Sequence, residues 1–368
     1  MLKYHLLFIC FFIGSVLYGQ SNASQEEIVQ FAGIFQGKIG EKLGIEMKIT
    51  CQDQKIAGTY FYNSQKINIK LEGAVIKNEL IINEYTPKGE KTGTFTGQMS
   101  EDGSEVIGLN GKWTSADGKR SFPFTTNASF LKLTTRSNYN SGTYNFQVLT
   151  RTLVKKQEVM KENRDENFQY FLWFKKYPQI SGLADAKIQS QFNLLLKNVA
   201  KEDKMEDFSF PVKKEVAEFG GDENYTSRID FCYKNLITIS SGSYGMMQGA
   251  AHPYHGGSGT TYFINTGKEV QLSDIFKGNY LAKINTWMKT NYQCKDEMSN
   301  MDNPDCITVK DKGENIPTFY LTNGNLVLDF AGSCGFPHAA QVCETQDIPL
   351  KELKDVINPA GALAGLVK

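Results

Sequence analysis

Between residues 31 and 133 apolar and polar positions alternate in short runs. Ile45-Glu46-Met47-Lys48-Ile49, Ile67-Asn68-Ile69-Lys70-Leu71 and Gly93-Thr94-Phe95-Thr96-Gly97 each send successive side chains to opposite faces, the period of a half-buried strand. Comparable runs cover 58–62, 80–82, 111–113 and 121–124, about ten residues apart and separated by turn residues, the rhythm of an antiparallel meander. Enough such strands curl into a small barrel or pack as a sandwich, so residues 28–133 are expected to form an all-β domain. The polar run 134–143 is read as a linker.

Beyond it the period changes. Strands are expected at 144–148 and 167–174, with the charged stretch 155–166 between them as a loop or exposed hairpin. Across 185–201, Ile188, Phe192, Leu195, Leu196 and Val199 recur at helical spacing. Two strands, 225–233 and 236–240, then lead into a strand over 260–264 and a turn at Asn265-Thr266-Gly267. A second helix is expected over 273–292, with Ser273 as its cap and Asp274 at its positive end. Near the end, Asn323-Gly324-Asn325 between two apolar runs signals a hairpin; a strand over 342–348 and a short helix over 350–357 follow. Residues 144–368 are therefore expected to form an α+β domain, an antiparallel sheet with two main helices.

Charge excludes one class of partner. Lys plus Arg and Asp plus Glu are both 40, a net charge of +0, so no basic field gathers nucleic acid. At the N-terminus Lys3 precedes an apolar run over 6–17 and small residues over 19–23, the form of a cleaved signal peptide spanning residues 1–20. The mature chain is expected to be exported, periplasmic or secreted, with no transmembrane anchor. Cys10 lies inside the apolar run behind Ile9, where a lipid-attachment box would want a small residue. In an oxidising compartment the other cysteines become disulfide candidates: Cys294 with Cys306, and Cys334 with Cys343, each closing a short loop. Cys51 and Cys232 either bridge the two domains or stay as buried thiols.

One stretch carries a family likeness. Gly249-Ala250-Ala251-His252-Pro253, then Tyr262-Phe263, Thr266-Gly267-Lys268 and Leu272-Ser273-Asp274-Ile275-Phe276, resembles the signature of an extracytoplasmic domain. That domain occurs in RsiV, a lysozyme-sensing anti-sigma factor, and beside the catalytic domain of PdaC-type peptidoglycan deacetylases. Tyr177-Pro178-Gln179-Ile180-Ser181-Gly182 and Asn358-Pro359-Ala360-Gly361 extend the resemblance, which covers about 144–366. It implies a structural motif at Gly249, His252, Pro253 and Gly267, and a partner such as a lysozyme-like protein or peptidoglycan. The anti-sigma segment and the deacetylase domain have no counterpart in these residues.

Catalytic constellations are sparse. His252 and His255 are three apart, a zinc spacing on a helix, but Pro253 and Gly256-Gly257 oppose a helix there; a metal-dependent hydrolase would need His338 to complete the set. No Gly-x-Ser-x-Gly elbow, Walker motif or dinucleotide fingerprint is present, and no cofactor is expected. The leading reading is a non-catalytic envelope binding protein. Its interaction patch would be the acidic loop carrying Asp296, Glu297, Asp302 and Asp305, suited to a cationic partner. A further reading places a small ligand in the mouth of the N-terminal barrel, lined by Tyr60, Tyr62 and Trp113. Glu84, just after the apolar run 80–82, is expected at a strand end, bonded to backbone or facing solvent.

Overall fold

The computed structural model describes residues 23–102, 106–164, 167–197, 220–292, 307–310, 317–330 and 344–367. Eight strands form an antiparallel meander: β1 (Glu27–Ile39), β2 (Leu43–Gln52), β3 (Lys55–Tyr62), β4 (Ile69–Ile76), β5 (Glu79–Tyr85), β6 (Lys91–Asp102), β7 (Val106–Ser115) and β8 (Ser121–Asn140). β8 returns to pair with β1, so the sheet closes into a barrel. The interior follows from the alternation. Phe31, Phe35 and Ile39 of β1, Ile45 and Met47 of β2, and Leu80 and Ile82 of β5 are all buried inside it. Filling by side chains is what a barrel of this size requires.

Two hairpin turns at the lower end need both central residues at positive φ, Asp53-Gln54 and Lys77-Asn78, matching the twist of the flanking strands. Asn78 also accepts the Ile28 backbone N–H at 3.0 Å, tying one turn to β1.

β8 connects the barrel to the rest of the molecule. One of its edges pairs with β7 as far as Asn127, and from Phe130 onward the same edge pairs with β9 (Asn145–Glu158). Between them, opposite Ile34 and Phe35, the register slips by one residue at Ser129, whose hydroxyl donates to the Ile34 carbonyl at 3.3 Å. This bulge moves the buried positions of β8 from Phe124, Thr126 and Ala128 to Leu131 and Leu133. Residues 134–140, expected as linker, are therefore strand.

The sheet continues through β10 (Tyr170–Ser181), β11 (Gly221–Tyr233), β12 (Leu236–Met247) and β13 (Tyr254–Phe263), thirteen strands in one order. All neighbours are antiparallel except β10 and β11, which run parallel, with α1 (Ala186–Lys197) lying between them in sequence. Asp185 caps α1, accepting the Lys187 and Ile188 backbone N–H groups at 2.8 and 3.1 Å. Ile188, Phe192 and Leu196 pack on one face of the extension against Val148, Ile180 and Ile237. Leu195, expected inward, is 36% exposed.

The other face carries a small antiparallel sheet of β14 (Thr318–Leu321), β15 (Asn325–Asp329) and β16 (Thr345–Pro349), with the helices α2 (Leu272–Ile275) and α3 (Tyr280–Asn291). Their core joins Ile284, Met288, Leu326 and Leu328 to Phe231 and Leu236. The single helix expected over 273–292 is broken: Phe276 bridges to Ile357, and Gly278 sits at φ +64. Gln271 caps α2 in place of Ser273, and Asp274 accepts the Gln271 backbone N–H at 2.8 Å.

The expected class needs correction. The described residues are 58% strand and 12% helix, a closed eight-stranded antiparallel barrel plus further strands, and not a barrel followed by an α+β domain with two main helices. Strand continuity through β8 is the reason: the second half extends the first sheet and uses its helices only to cover faces.

Candidate functional site

The end of the barrel away from the extension collects the turns joining β1 to β2, β3 to β4, β5 to β6 and β7 to β8. Inward positions near this mouth are Tyr60 and Tyr62 of β3, Glu84 of β5 and Trp113 of β7. Glu84 continues the parity of Leu80 and Ile82, so alternation alone turns its carboxylate into the barrel, where it is 4% exposed. It neither caps a strand end nor faces solvent, the two placements expected for it.

A carboxylate this deep must be hydrogen-bonded to be tolerated. The hydroxyl of Tyr60, itself 0% exposed, donates to Glu84 Oε2 and reaches the Tyr62 hydroxyl at 3.2 Å. Burial, then the hydrogen bond to Glu84 and its charge, hold the Tyr60 phenol far above its ordinary range. Burial also raises Tyr62, with the Tyr60 hydrogen bond and the Arg120 charge opposing and Glu84 adding to the rise. Tyr60 is thus held as a hydrogen-bond donor to Glu84.

Trp113 completes the cluster. Its indole is 6% exposed, yet Nε1 has no hydrogen-bond partner among the described residues. Phe122 stacks on the ring at 6.1 Å and 15°, and the Arg120 guanidinium lies 5.9 Å from its centroid. The β7–β8 turn that presents Arg120 is braced by Ser115, whose hydroxyl donates to Asp117 at 2.6 Å and accepts the Arg120 N–H at 3.0 Å. On the barrel side Phe95 meets Tyr60 edge-on at 5.4 Å.

Gly93 makes the arrangement possible. A Cβ there would fall 2.6 Å from Trp113 Nε1 and 2.8 Å from Glu84 Oε1, so the indole edge and the carboxylate pack directly against the Gly93 backbone and any side chain there would clash with both. A buried donor without a partner and a buried carboxylate beside it, bordered by aromatic rings, make the polar centre of this end of the barrel. Around the rim Leu43, Ile67 and Phe122 are 47%, 64% and 41% exposed.

The other candidate residues are dispersed. His252 is exposed in the turn before β13, its Nδ1 3.3 Å from the Pro253 carbonyl oxygen, and His255 is an exposed residue of β13 paired with Tyr244. His338 lies outside the described residues, among which no group of three or more His, Cys, Asp or Glu is placed to hold a metal. Gly249, at φ +82, shares the turn of His252 and Pro253, and Gly267, at φ +65, closes the turn after β13 with its N–H on the Phe263 carbonyl. Asp296, Glu297, Asp302, Asp305 and the cysteines Cys294, Cys306, Cys334 and Cys343 also lie outside the described residues, as does the segment 1–22. Cys51 and Cys232 are buried free thiols in separate cores, not a bridge. Burial pushes the Cys232 thiol up to about 12 and raises that of Cys51 as well. Among the described residues no helix is long and apolar enough to cross a membrane.

No protein-family model matches the sequence, and no curated protein matches it. Six chains of solved structure match. One is a DUF3298-family protein of Bacteroides fragilis, with TM-score 0.36 and 12% identity over 58% of this chain and 94% of that one. Another is a DUF3298-family protein of Pseudomonas aeruginosa, with TM-score 0.35 and 15% identity over 57% and 94%. The structural neighbours of this chain are thus DUF3298-family proteins, at a level of likeness that carries no functional argument.

Proposed function

We propose that this protein is an exported, non-catalytic binding protein and that the barrel mouth is its ligand site. One observation carries the reading: the buried indole N–H of Trp113 has no partner among the described residues, and the buried carboxylate of Glu84 lies beside it, both against Gly93. An unmatched buried donor costs about 1–3 kcal/mol, and a ligand acceptor that meets it recovers that cost. Export rests on the N-terminal signal pattern. Thermal denaturation against a small-molecule library spanning neutral, cationic and anionic compounds tests the site. At least one compound should raise the Tm of the native protein and leave Gly93→Ala unmoved; equal shifts in both, or none in either, would remove the mouth as the site.

A second reading follows from charge and from the resemblance to the RsiV-type domain. Between Cys294 and Cys306 four acids stand against one lysine, a composition suited to a cationic protein such as lysozyme. Immobilised lysozyme should retain the native protein and lose it when Asp296, Glu297, Asp302 and Asp305 become Asn. Retention of that variant at native strength would exclude the loop.

A further inference from the structure

We infer that the open edge of β13 takes an extended peptide segment as an added strand, and that this segment carries an aromatic side chain which lies across Gly257 and Gly242. The inference does not depend on the barrel mouth.

β13 ends the order of thirteen strands, and β12 is its one neighbour in the sheet. Near its C-terminal end the chain itself closes the other side: Val270 donates its backbone N–H to the Thr261 carbonyl at 2.8 Å, and Phe263 donates its own to the Lys268 carbonyl at 2.9 Å. Odd-numbered residues of β13 thus turn their N–H and C=O groups away from β12, and by the antiparallel alternation Gly257 does the same. Among the described residues no other element bonds to the Gly257 backbone. Tyr254 to Ser258 are all exposed, with no Lys, Pro or bulge to blunt the edge. Such an edge is the surface that an extended peptide joins by main-chain hydrogen bonds.

The glycines of this sheet indicate which side chain the added strand brings. A Cβ at Gly245 would fall 2.2 Å from the ring of Tyr254, its partner on β13, and one at Gly259 would fall 2.5 Å from the ring of Tyr320 on β14. Each of these glycines therefore seats an aromatic ring, which supplies the packing that its missing side chain withholds. Gly257 and its partner Gly242 have no such cover. Among the described residues a Cβ at Gly242 would meet the Thr226 hydroxyl at 3.4 Å and the Gly256 carbonyl oxygen at 3.9 Å, ordinary contacts that leave the face open, and Gly257 is exposed. The two form a floor without side chains, two strands wide, bordered by Tyr244 and His255 on one side and by Tyr320 on the other. A residue paired with Gly257 on an added strand projects to this same face. An aromatic ring there would cover both glycines as Tyr254 covers Gly245.

Selection of a phage-displayed library of random heptapeptides on the full chain tests this. Enriched peptides should share one aromatic residue flanked by β-branched ones. A synthetic peptide of the enriched sequence, titrated by fluorescence polarisation, should bind Gly242→Val about tenfold more weakly, the loss expected when a ring is kept from its seat. That substitution puts a strand-forming side chain into open space, so the variant should fold. Replacing the aromatic residue of the peptide by Ala should weaken binding to the same degree. Gly256→Ala lies on the opposite face, where a Cβ meets Ser243 Oγ at 3.4 Å, and should bind within about twofold of the native protein. Enrichment of peptides without an aromatic residue, equal binding to Gly242→Val, or no enrichment at all would overturn the inference. A protein that is dimeric by light scattering and becomes monomeric on Gly242→Val would make a second copy of the chain the occupant, and would overturn it too.

Discussion

The hydroxyl of Tyr60 donates to the carboxylate of Glu84 inside a closed barrel, with both side chains screened from solvent. Neither group would be stable there alone. Tyr60→Phe takes the donor away and leaves a buried carboxylate short of a partner, so it should lower stability by about 1–3 kcal/mol. The double substitution Tyr60→Phe with Glu84→Leu removes both polar partners and should recover part of that loss. Urea unfolding of the two variants measures this, and a Tyr60→Phe protein as stable as the native one would mean the bond contributes nothing.

Alkaline pH should unfold the protein earlier than ordinary tyrosine and cysteine chemistry suggests. Tyr60 is held far above its usual range and Cys232 is pushed up to about 12, both first by burial. In the unfolded chain these groups lose their protons near pH 8.5 to 10, so above about pH 9 the unfolded state binds fewer protons and stability falls as pH rises. Their contribution is fully present below the unfolded values. Lys156, whose pKa burial lowers, works in the opposite direction. Unfolding free energies at several pH values from neutral upward should decline from about pH 9; a flat profile through pH 10.5 would contradict the burial of these groups.

Cys51 and Cys232 should resist alkylation until the chain unfolds, because the reactive species is a thiolate and burial disfavours it at both sites. Peptide mapping after iodoacetamide treatment reads each site separately. Labelling of either under native conditions would show that its core opens readily.

The two sides of α1 should respond differently to truncation. Phe192 is 0% exposed and fills the layer between α1 and the sheet, so Phe192→Ala should cost about 3–5 kcal/mol. Leu194, 60% exposed, should tolerate Ala within about 0.5 kcal/mol. Similar losses at both positions in urea unfolding would contradict the orientation of the helix.

Much of the barrel was legible in period-two alternation, since the inward residues of β2 to β5 follow from counting by twos. Glu84 was legible by the same count: it shares the parity of Leu80 and Ile82, and only the expectation that a carboxylate avoids burial pointed it outward. The change of class was not legible. It turns on Ser129, where β8 exchanges β7 for β9 along one edge, and strand pairing is a tertiary choice that the local residues do not encode. Likewise the Gly- and Ser-rich stretches at 241–247 and 254–259 fall outside the strands expected over 236–240 and 260–264, yet they are strands because pairing with their neighbours overrides weak local propensity. The unmatched indole was beyond sequence reading altogether, since it depends on where Gly93 of β6 brings β5 and β7 together.

Ligand binding at the barrel mouth is tested most directly at the indole N–H of Trp113, which a proton–nitrogen correlation spectrum resolves from those of Trp173 and Trp287 and which Trp113→Phe assigns. Addition of a compound that raises the Tm of the native protein should move the Trp113 resonance progressively and leave the other two in place. A Trp113 resonance that stays still at saturating concentrations of neutral, cationic and anionic probes alike would contradict the site.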